Sequence, residues 1–485
     1  MSGGIGGAAR TTPDAPALVT MSGVVSFLEL NERGKAVVSG LQDAGLSAGD
    51  RVGVLSLNRR EVLEVTTAML RAGLVPVPIS PLAAPAEVAY VIEDSGCRWM
   101  FADRPIEVGP TVAGSVTFGD AFERFVHDHA GAEVELSDHV LGRPFHYTSG
   151  TSGRPKGVWV PRARPGQAAA LSEGFRQEWG LKEDEVHMVC SPLTHSAPHR
   201  FAVRTLEAGG RVYLLPRFEP ADALATIELL GVTSTFMVPT HLERIFSLEE
   251  RILRRHDLSS LRLLVHAGAA VRPETKQRAI ELFPPGSVWE FYGATEGFGT
   301  RISSDEWVTH PGSVGTPRAR AKISIKDDEG QQLTTGEVGR VWIEDPVAEP
   351  FEYWGDPERT RRARERSAFT VGDLGWLDAD GYLFLAGRAD DVIITGGVNV
   401  NPREVELVLM DHPGVDEAVV YGAPDDEWGQ IVHAAVVPAF GSPLDAELLR
   451  AWARARMSGP KCPKVIEIVD ELPKTPTGKV RRAHS

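Results

Sequence analysis

The 485-residue chain is too long for one ordinary core, and its 42% hydrophobic content is enough to build two or more. A formal charge of -15 and a pI near 5.5 argue against nucleic acid or an anionic membrane as the main partner. Three scattered cysteines (Cys97, Cys190, Cys462), no zinc spacing, no leader-like start and no apolar run of roughly eighteen residues make a reducing, cytoplasmic setting the expectation.

From residue 17 to 101 short apolar runs alternate with amphipathic stretches. Residues 51–57 (RVGVLSL) and 74–79 (LVPVPI) read as strands and 61–72 and 86–95 as helices, an α/β layering. Residues 103–139 carry no clear period and are expected to be a connection. They lead into 147–157, YTSGTSGRPKG, which packs three glycines, four small hydroxyl residues (Thr148, Ser149, Thr151, Ser152) and two cations together. Small residues let backbone N–H groups approach an anion, so a triphosphate is the expected guest. A Walker loop is disfavoured because Lys156 precedes Gly157 rather than Ser or Thr. An ordinary Gly/Ser turn has the same composition, and the loop alone does not decide.

Beyond it, apolar runs recur at 186–190, 211–215, 233–238, 261–265 and 287–292, with helical periodicity between them at 220–230 and 273–282. A repeating β-α unit predicts a parallel sheet with ligands at the strand C-terminal ends. From 321 to 354 short alternating strands with Gly/Asp turns predict a small antiparallel region. The last break falls at 387–397 (GRADDVIITGG), between a strand at 382–386 and a helix starting near Pro402. Past this break the chain has its own βαββα rhythm, long enough for a small independent domain.

Taken in order, YTSGTSGRPKG (147–157), FYGATEG (291–297), GSVGTP (312–317), VGDLGWLDADGYLFLAGRADDVI (371–393), TGGVNVNPREVE (395–406) and PKTPTGKV (473–480) resemble the adenylate-forming superfamily over nearly the whole chain, most closely its bacterial acyl-CoA and aryl-CoA synthetases. The resemblance implies a large N-terminal α/β domain (1–389) of layered parallel sheets and helices with a small β-barrel-like region. It also implies a small, mobile α+β C-terminal domain (390–485) with its hinge at Asp390. ATP, Mg²⁺ and coenzyme A are the implied cofactors.

Carboxylate attack on an α-phosphate brings two anions together, so cations must lower the repulsion and hold the transferring phosphoryl charge. Glu296 offers one hard oxygen to Mg²⁺, and Thr295 a hydroxyl to the α-phosphate. Alone, the pair also fits a helix N-cap with a first-turn acid. The resemblance assigns the phosphate loop to Thr148, Ser149, Gly150, Thr151, Ser152, Gly153 and Lys156. It puts the adenine between Tyr292 and the loop Gly268, Ala269, Ala270, with Glu290, Phe291 and Gly293 beside it. Asp373 and Arg388 would take the ribose and phosphates; a plain surface ion pair is the alternative. Lys479 matches the catalytic lysine. An ammonium contributes about 4 kcal/mol at about 4 Å and little beyond about 10 Å, so the C-terminal domain is expected to close over the nucleotide. Rotation about Asp390 would then exchange Lys479 for Gly396 and Gly397, past which a pantetheine arm runs. Trp428, Lys461 and Lys464 match positions that contact the coenzyme A nucleotide in some relatives; a packed Trp and solvated lysines is the alternative.

Residues 191–203 (SPLTHSAPHRFAV) hold no acid to pair with a substrate ammonium, which disfavours an amino acid. His195 matches the gating position beside the substrate carboxylate. Phe201, Met237, Phe291, Gly293 and Phe298 are candidate pocket walls for a hydrophobic acid. The expected activity is therefore an ATP-dependent acid:CoA ligase. The alternatives are a stand-alone ligase loading a carrier-protein pantetheine, with no fused carrier domain expected after residue 480, and a non-catalytic nucleotide-binding homologue. The expected partners are a small carboxylic acid and either coenzyme A or a carrier protein, with no nucleic acid or membrane; homodimerisation is left open.

Overall fold

The apolar runs downstream of the phosphate loop form one parallel array. In the computed structural model, which describes residues 3–148, 155–318, 320–346 and 350–473, the strands Val288–Gly293, Leu263–His266, Ser234–Met237, Val186–Val189, Arg211–Leu214 and Pro16–Thr20 lie side by side in that order, all parallel. Phe298–Ser303 and Gly23–Ser26 add antiparallel neighbours at either side. Four central strands are buried along their whole length or nearly so, which is why they read as unbroken apolar runs. A second parallel sheet, Val75–Ile79, Arg51–Leu55, Cys97–Ala102 and Gly114–Thr117, carries the helices Arg60–Ala72 and Pro85–Ser95.

One segment differs from expectation, and one that the sequence left unread is ordered. The stretch 103–139 is not structureless: it supplies the strand Gly114–Thr117 and the helix Asp120–Asp128, whose Phe122 and Val126 are buried. The glycine-rich start forms a helix, Gly4–Thr11, held by Arg10 on Asp138 at 2.8 and 2.7 Å. Its glycines admit a close approach: a Cβ on Gly6 would sit 2.2 Å from Asp138 Oδ1.

The chain divides into two units, residues 1–311 with 347–362, and residues 312–346 with 363–485. The antiparallel region predicted at 321–354 is thereby split. Lys322–Lys326 and Gly339–Glu344 join a six-stranded sheet of the second unit with Asp373–Leu377 and Leu383–Arg388. Glu352–Tyr353 instead pairs antiparallel with Lys156–Trp159 in the first unit. The rest of the second unit packs the helices Pro402–Met410 and Ala446–Arg454 with the long hairpin Val415–Asp425/Gly429–Pro438 around Val405, Leu409, Val420, Ala434 and Leu449. Among the described residues no helix is long and apolar enough to cross a membrane.

Candidate active site

Lys156 opens the middle strand of a three-stranded sheet, so its two neighbours determine what surrounds it. His146–Thr148 lies on one side, with Thr148 opposite Lys156, and Glu352–Tyr353 on the other, with Tyr353 opposite Val158. Trp354 locks the second edge: its indole N–H donates to Asp94 O at 2.9 Å, and its ring packs on Phe145 and Trp159.

Glu296 reaches this sheet from elsewhere. It lies in the tight turn between Val288–Gly293 and Phe298–Ser303, closed by Ala294 N–H to Gly297 O at 2.8 Å, so a helix N-cap is not what Thr295 and Glu296 form. Arg143 fixes the turn by donating to Thr295 O at 2.9 Å. The Glu296 side chain is 4% exposed, with Lys156 Nζ 3.2 Å from Oε1 and the Tyr353 hydroxyl donating to Oε1 at 2.7 Å. Lys156 also donates to the Tyr353 oxygen at 3.3 Å and stands 4.4 Å from the ring centroid. Burying a carboxylate is costly unless it is paired and hydrogen-bonded, and Glu296 has both kinds of partner.

The donor set fits a magnesium–nucleotide. Glu296 has a second carboxylate oxygen with no partner among the described residues, and Thr148 Oγ1 is buried and unpartnered among them. Gly268, with φ +92, Ala269 and Ala270 form an exposed turn at the C-terminal end of Leu263–His266, where a parallel sheet presents ligands. Tyr292 is buried on the adjacent strand, and Phe291 points to its opposite face. Glu290 has another engagement: its carboxylate meets the Lys276 ammonium inside the protein, with the Lys276 ammonium also 5.0 Å from the Trp307 ring centroid. Burial pushes the Glu290 carboxyl up and the Lys276 ammonium down, and each partner opposes that push.

His195 is the N-cap residue of the helix Ser196–Glu207. Around it lie groups that the sequence reading passed over. His146 is buried with its Nδ1 3.2 Å from Thr194 O, and burial, with His199, Arg143, His195 and Arg200 nearby, lowers its pKa well below the ordinary imidazole value. Of the candidate pocket walls, Phe201, Phe291 and Phe298 share one aromatic cluster with Trp179 and Phe236, with Phe291 and Phe298 centroids 5.2 Å apart. Met237 does not join them; it is fully buried in a different core with Leu242 and Leu264. Gly293 closes the turn, facing Gly297 O so closely that a Cβ would lie at 2.9 Å.

In the second unit Asp373 and Arg388 face each other across adjacent strands, Nε to Oδ1 3.4 Å, and Arg388 donates to Val371 O at 2.6 Å. Asp390 is the middle residue of the short 3-10 turn Ala389–Asp391. Gly396 and Gly397, with φ +55 and +80, are the two central residues of the hairpin Ile393–Thr395/Val398–Val400, a turn that demands positive φ at both. Trp428 packs on Gly396, with Lys464 Nζ 4.0 Å from its ring centroid, while Lys461 pairs with Glu404 at 2.6 Å. Ser149, Gly150, Thr151, Ser152, Gly153 and Lys479 lie outside the described residues.

Tyr353 and Arg143 are the groups at the metal end that sequence reasoning missed. Tyr353 sits 197 residues from Lys156 and 57 from Glu296, so no local spacing announces it.

Comparison with known proteins gives the family of the chain. A family model described as AMP-binding enzyme matches residues 7–349, and one described as AMP-binding enzyme C-terminal domain matches 404–479. The chain is 34% identical over 482 residues to a feruloyl-CoA synthase of Amycolatopsis sp, covering 97% of this chain and 95% of the synthase. It is 30% identical over 492 residues to the fatty acid–[acyl-carrier-protein] ligase ScoC of Streptomyces coeruleorubidus, covering 98% and 93%. Its fold matches o-succinylbenzoate CoA synthetase (MenE) from Bacillus subtilis, solved in complex with the acyl-adenylate intermediate OSB-AMP. The TM-score is 0.86 and the identity 27%, over 98% of this chain and 96% of the synthetase.

Proposed function

The chain belongs to the AMP-binding enzyme family, and from that premise we propose that it is an AMP-forming acid:CoA ligase for a hydrophobic, non-amino carboxylic acid. The carboxylate attacks the α-phosphate of ATP, releasing pyrophosphate and leaving acyl-AMP; the thiol of coenzyme A then attacks the acyl carbon and AMP departs. The observation that carries this reading is the buried Lys156–Tyr353–Glu296 contact beside Thr148, a cation and a hard carboxylate oxygen prepared for a metal-bound phosphate.

When bound, Mg²⁺ on Glu296 supplies charge neutralisation for the phosphates. Lys156 adds a donor to the phosphates, Thr295 a hydroxyl, and Tyr292 with Gly268–Ala270 the adenine contact. Asp373 takes the ribose hydroxyls and Arg388 flanks them. His195 borders the acid carboxylate, and the aromatic group Phe201, Phe291 and Phe298 favours an apolar or aryl tail. Lys479 serves adenylation, and Asp390 is the hinge about which the domain 390–485 turns to the thiol-accepting arrangement, where Gly396, Gly397, Trp428, Lys461 and Lys464 meet coenzyme A.

One observation favours a second acceptor: a relative of nearly full coverage is named for loading an acyl-carrier protein. Acid-dependent ATP–pyrophosphate exchange across a panel of aryl, alkyl and amino acids tests the first step. Exchange with aryl or alkyl acids and none with amino acids is expected. Offering free coenzyme A or a pantetheinylated carrier to the loaded enzyme then decides the acceptor.

A further inference from the structure

The contact at Glu296 has a direction fixed by its chemistry. A lysine ammonium only donates, so the Tyr353 oxygen accepts from Lys156 and sends its own proton to Glu296 Oε1. The ammonium reaches that same oxygen directly at 3.2 Å. Both partners therefore crowd onto Oε1, and Oε2 has none among the described residues. Tyr353 is itself buried and fixed: its backbone N–H donates to Thr360 Oγ1 at 3.0 Å, and its strand is paired to the one that begins at Lys156.

Resting on the ligase reading above, we propose that Tyr353 is a positioning residue that keeps Glu296 oriented with Oε2 toward the magnesium of the incoming nucleotide, while Lys156 stands in as the carboxylate's counter-cation until phosphate draws it away. The physical ground is charge balance. A carboxylate this buried is costly without a cation, so before nucleotide arrives the lysine fills that role. With a metal-bound triphosphate in place, Glu296 would face a divalent cation and Lys156 an anion, so each would keep a partner of opposite charge. The neutral phenol has no reason to leave, and it holds the carboxylate through the exchange. Tyr353 thus acts on the metal through its ligand, as outer groups around metal-binding carboxylates do.

The test is calorimetric titration of ATP, with and without Mg²⁺, into wild type and Tyr353→Phe, a variant that keeps the ring under Lys156 and removes only the hydroxyl. The phenylalanine variant is expected to bind ATP about tenfold more weakly in Mg²⁺, the scale of a lost outer-sphere contact, while AMP binding in chelator changes less than about twofold. Adding Tyr353→Phe to Glu296→Gln should bring no further loss, because the hydroxyl then has no metal ligand to orient. Unchanged magnesium dependence in Tyr353→Phe, or a full additional tenfold loss in the double variant, overturns the inference and leaves the ligase reading standing. Wild type that binds ATP without regard to Mg²⁺ overturns both. If the phenylalanine variant does not stay folded, Tyr353→His, which retains a ring and a donor, should keep the magnesium dependence within a few-fold of wild type; its loss in a folded histidine variant contradicts the role of the donor.

Discussion

Glu296 and Asp373 are both carboxylates proposed to meet the nucleotide, and their surroundings are opposite. Glu296 is 4% exposed, in a hairpin turn of the first unit, held by a lysine and a tyrosine from a separate sheet. Asp373 is 19% exposed on a short ladder of the second unit, paired across strands to an arginine that is 39% exposed. The interior carboxylate gains a fixed geometry and must keep a partner at all times; the outer one sits in a part-exposed ion pair worth little to stability. The carboxylate of the first unit is thus held in a fixed interior contact, and that of the second in a part-exposed one.

Substitutions that remove one partner from an interior pair should have the largest effects. Glu290→Gln leaves the Lys276 ammonium buried without its counter-charge, and a loss of about 3–5 kcal/mol in unfolding free energy is expected from urea titration. Replacing both with Met and Leu should recover most of it; failure to recover would mean that the pair itself is not the source. Glu296→Gln should lower ATP–pyrophosphate exchange by about 10²–10³-fold, the scale of losing one transition-state contact, with the protein still folded.

The interior also sets the response to acid. Burial holds His187 at about 3 and His199 at about 4, against an ordinary 6.5, so both are neutral in the fold. Below pH 6.5 the unfolded chain binds a proton at each that the folded chain refuses. Their contribution is therefore complete above 6.5 and falls as pH drops toward 4. The slope is about 1.4 kcal/mol per pH unit for each, or about 2 kcal/mol each between pH 7 and pH 5. Urea midpoints at those two pH values check this. The smallest structural effect belongs to the outer pair: Asp373→Asn should change stability by no more than about 1 kcal/mol while raising the KM for ATP. A large stability loss there would erase the contrast between the two carboxylates.

Much of the architecture was legible because buried parallel strands are continuous apolar runs, as at Val186–Val189, Arg211–Leu214 and Leu263–His266. The helix Gly4–Thr11 was not, since a glycine-rich segment has poor intrinsic helicity and gains its order from packing against the 138 region. Residues 103–139 hid a strand of four residues whose pattern is too short to register. At the site, Glu296 and Lys156 stood out through their motifs and are brought together, whereas Tyr353 needed a strand pairing across the chain. Lys276 was invisible in PETKQRAIEL, a stretch that reads as a solvated helix face, and so the engagement of Glu290 was invisible too.

The proposed division of labour between adenylation and thioester formation is tested most directly at Lys479. Wild type and Lys479→Ala should be measured side by side in acid-dependent ATP–pyrophosphate exchange and in thioester formation from supplied acyl-AMP and coenzyme A. Loss of exchange by about a thousandfold or more, with thioester formation kept within a few-fold, is the predicted result. Equal loss of both steps, or exchange that survives the substitution, would contradict it.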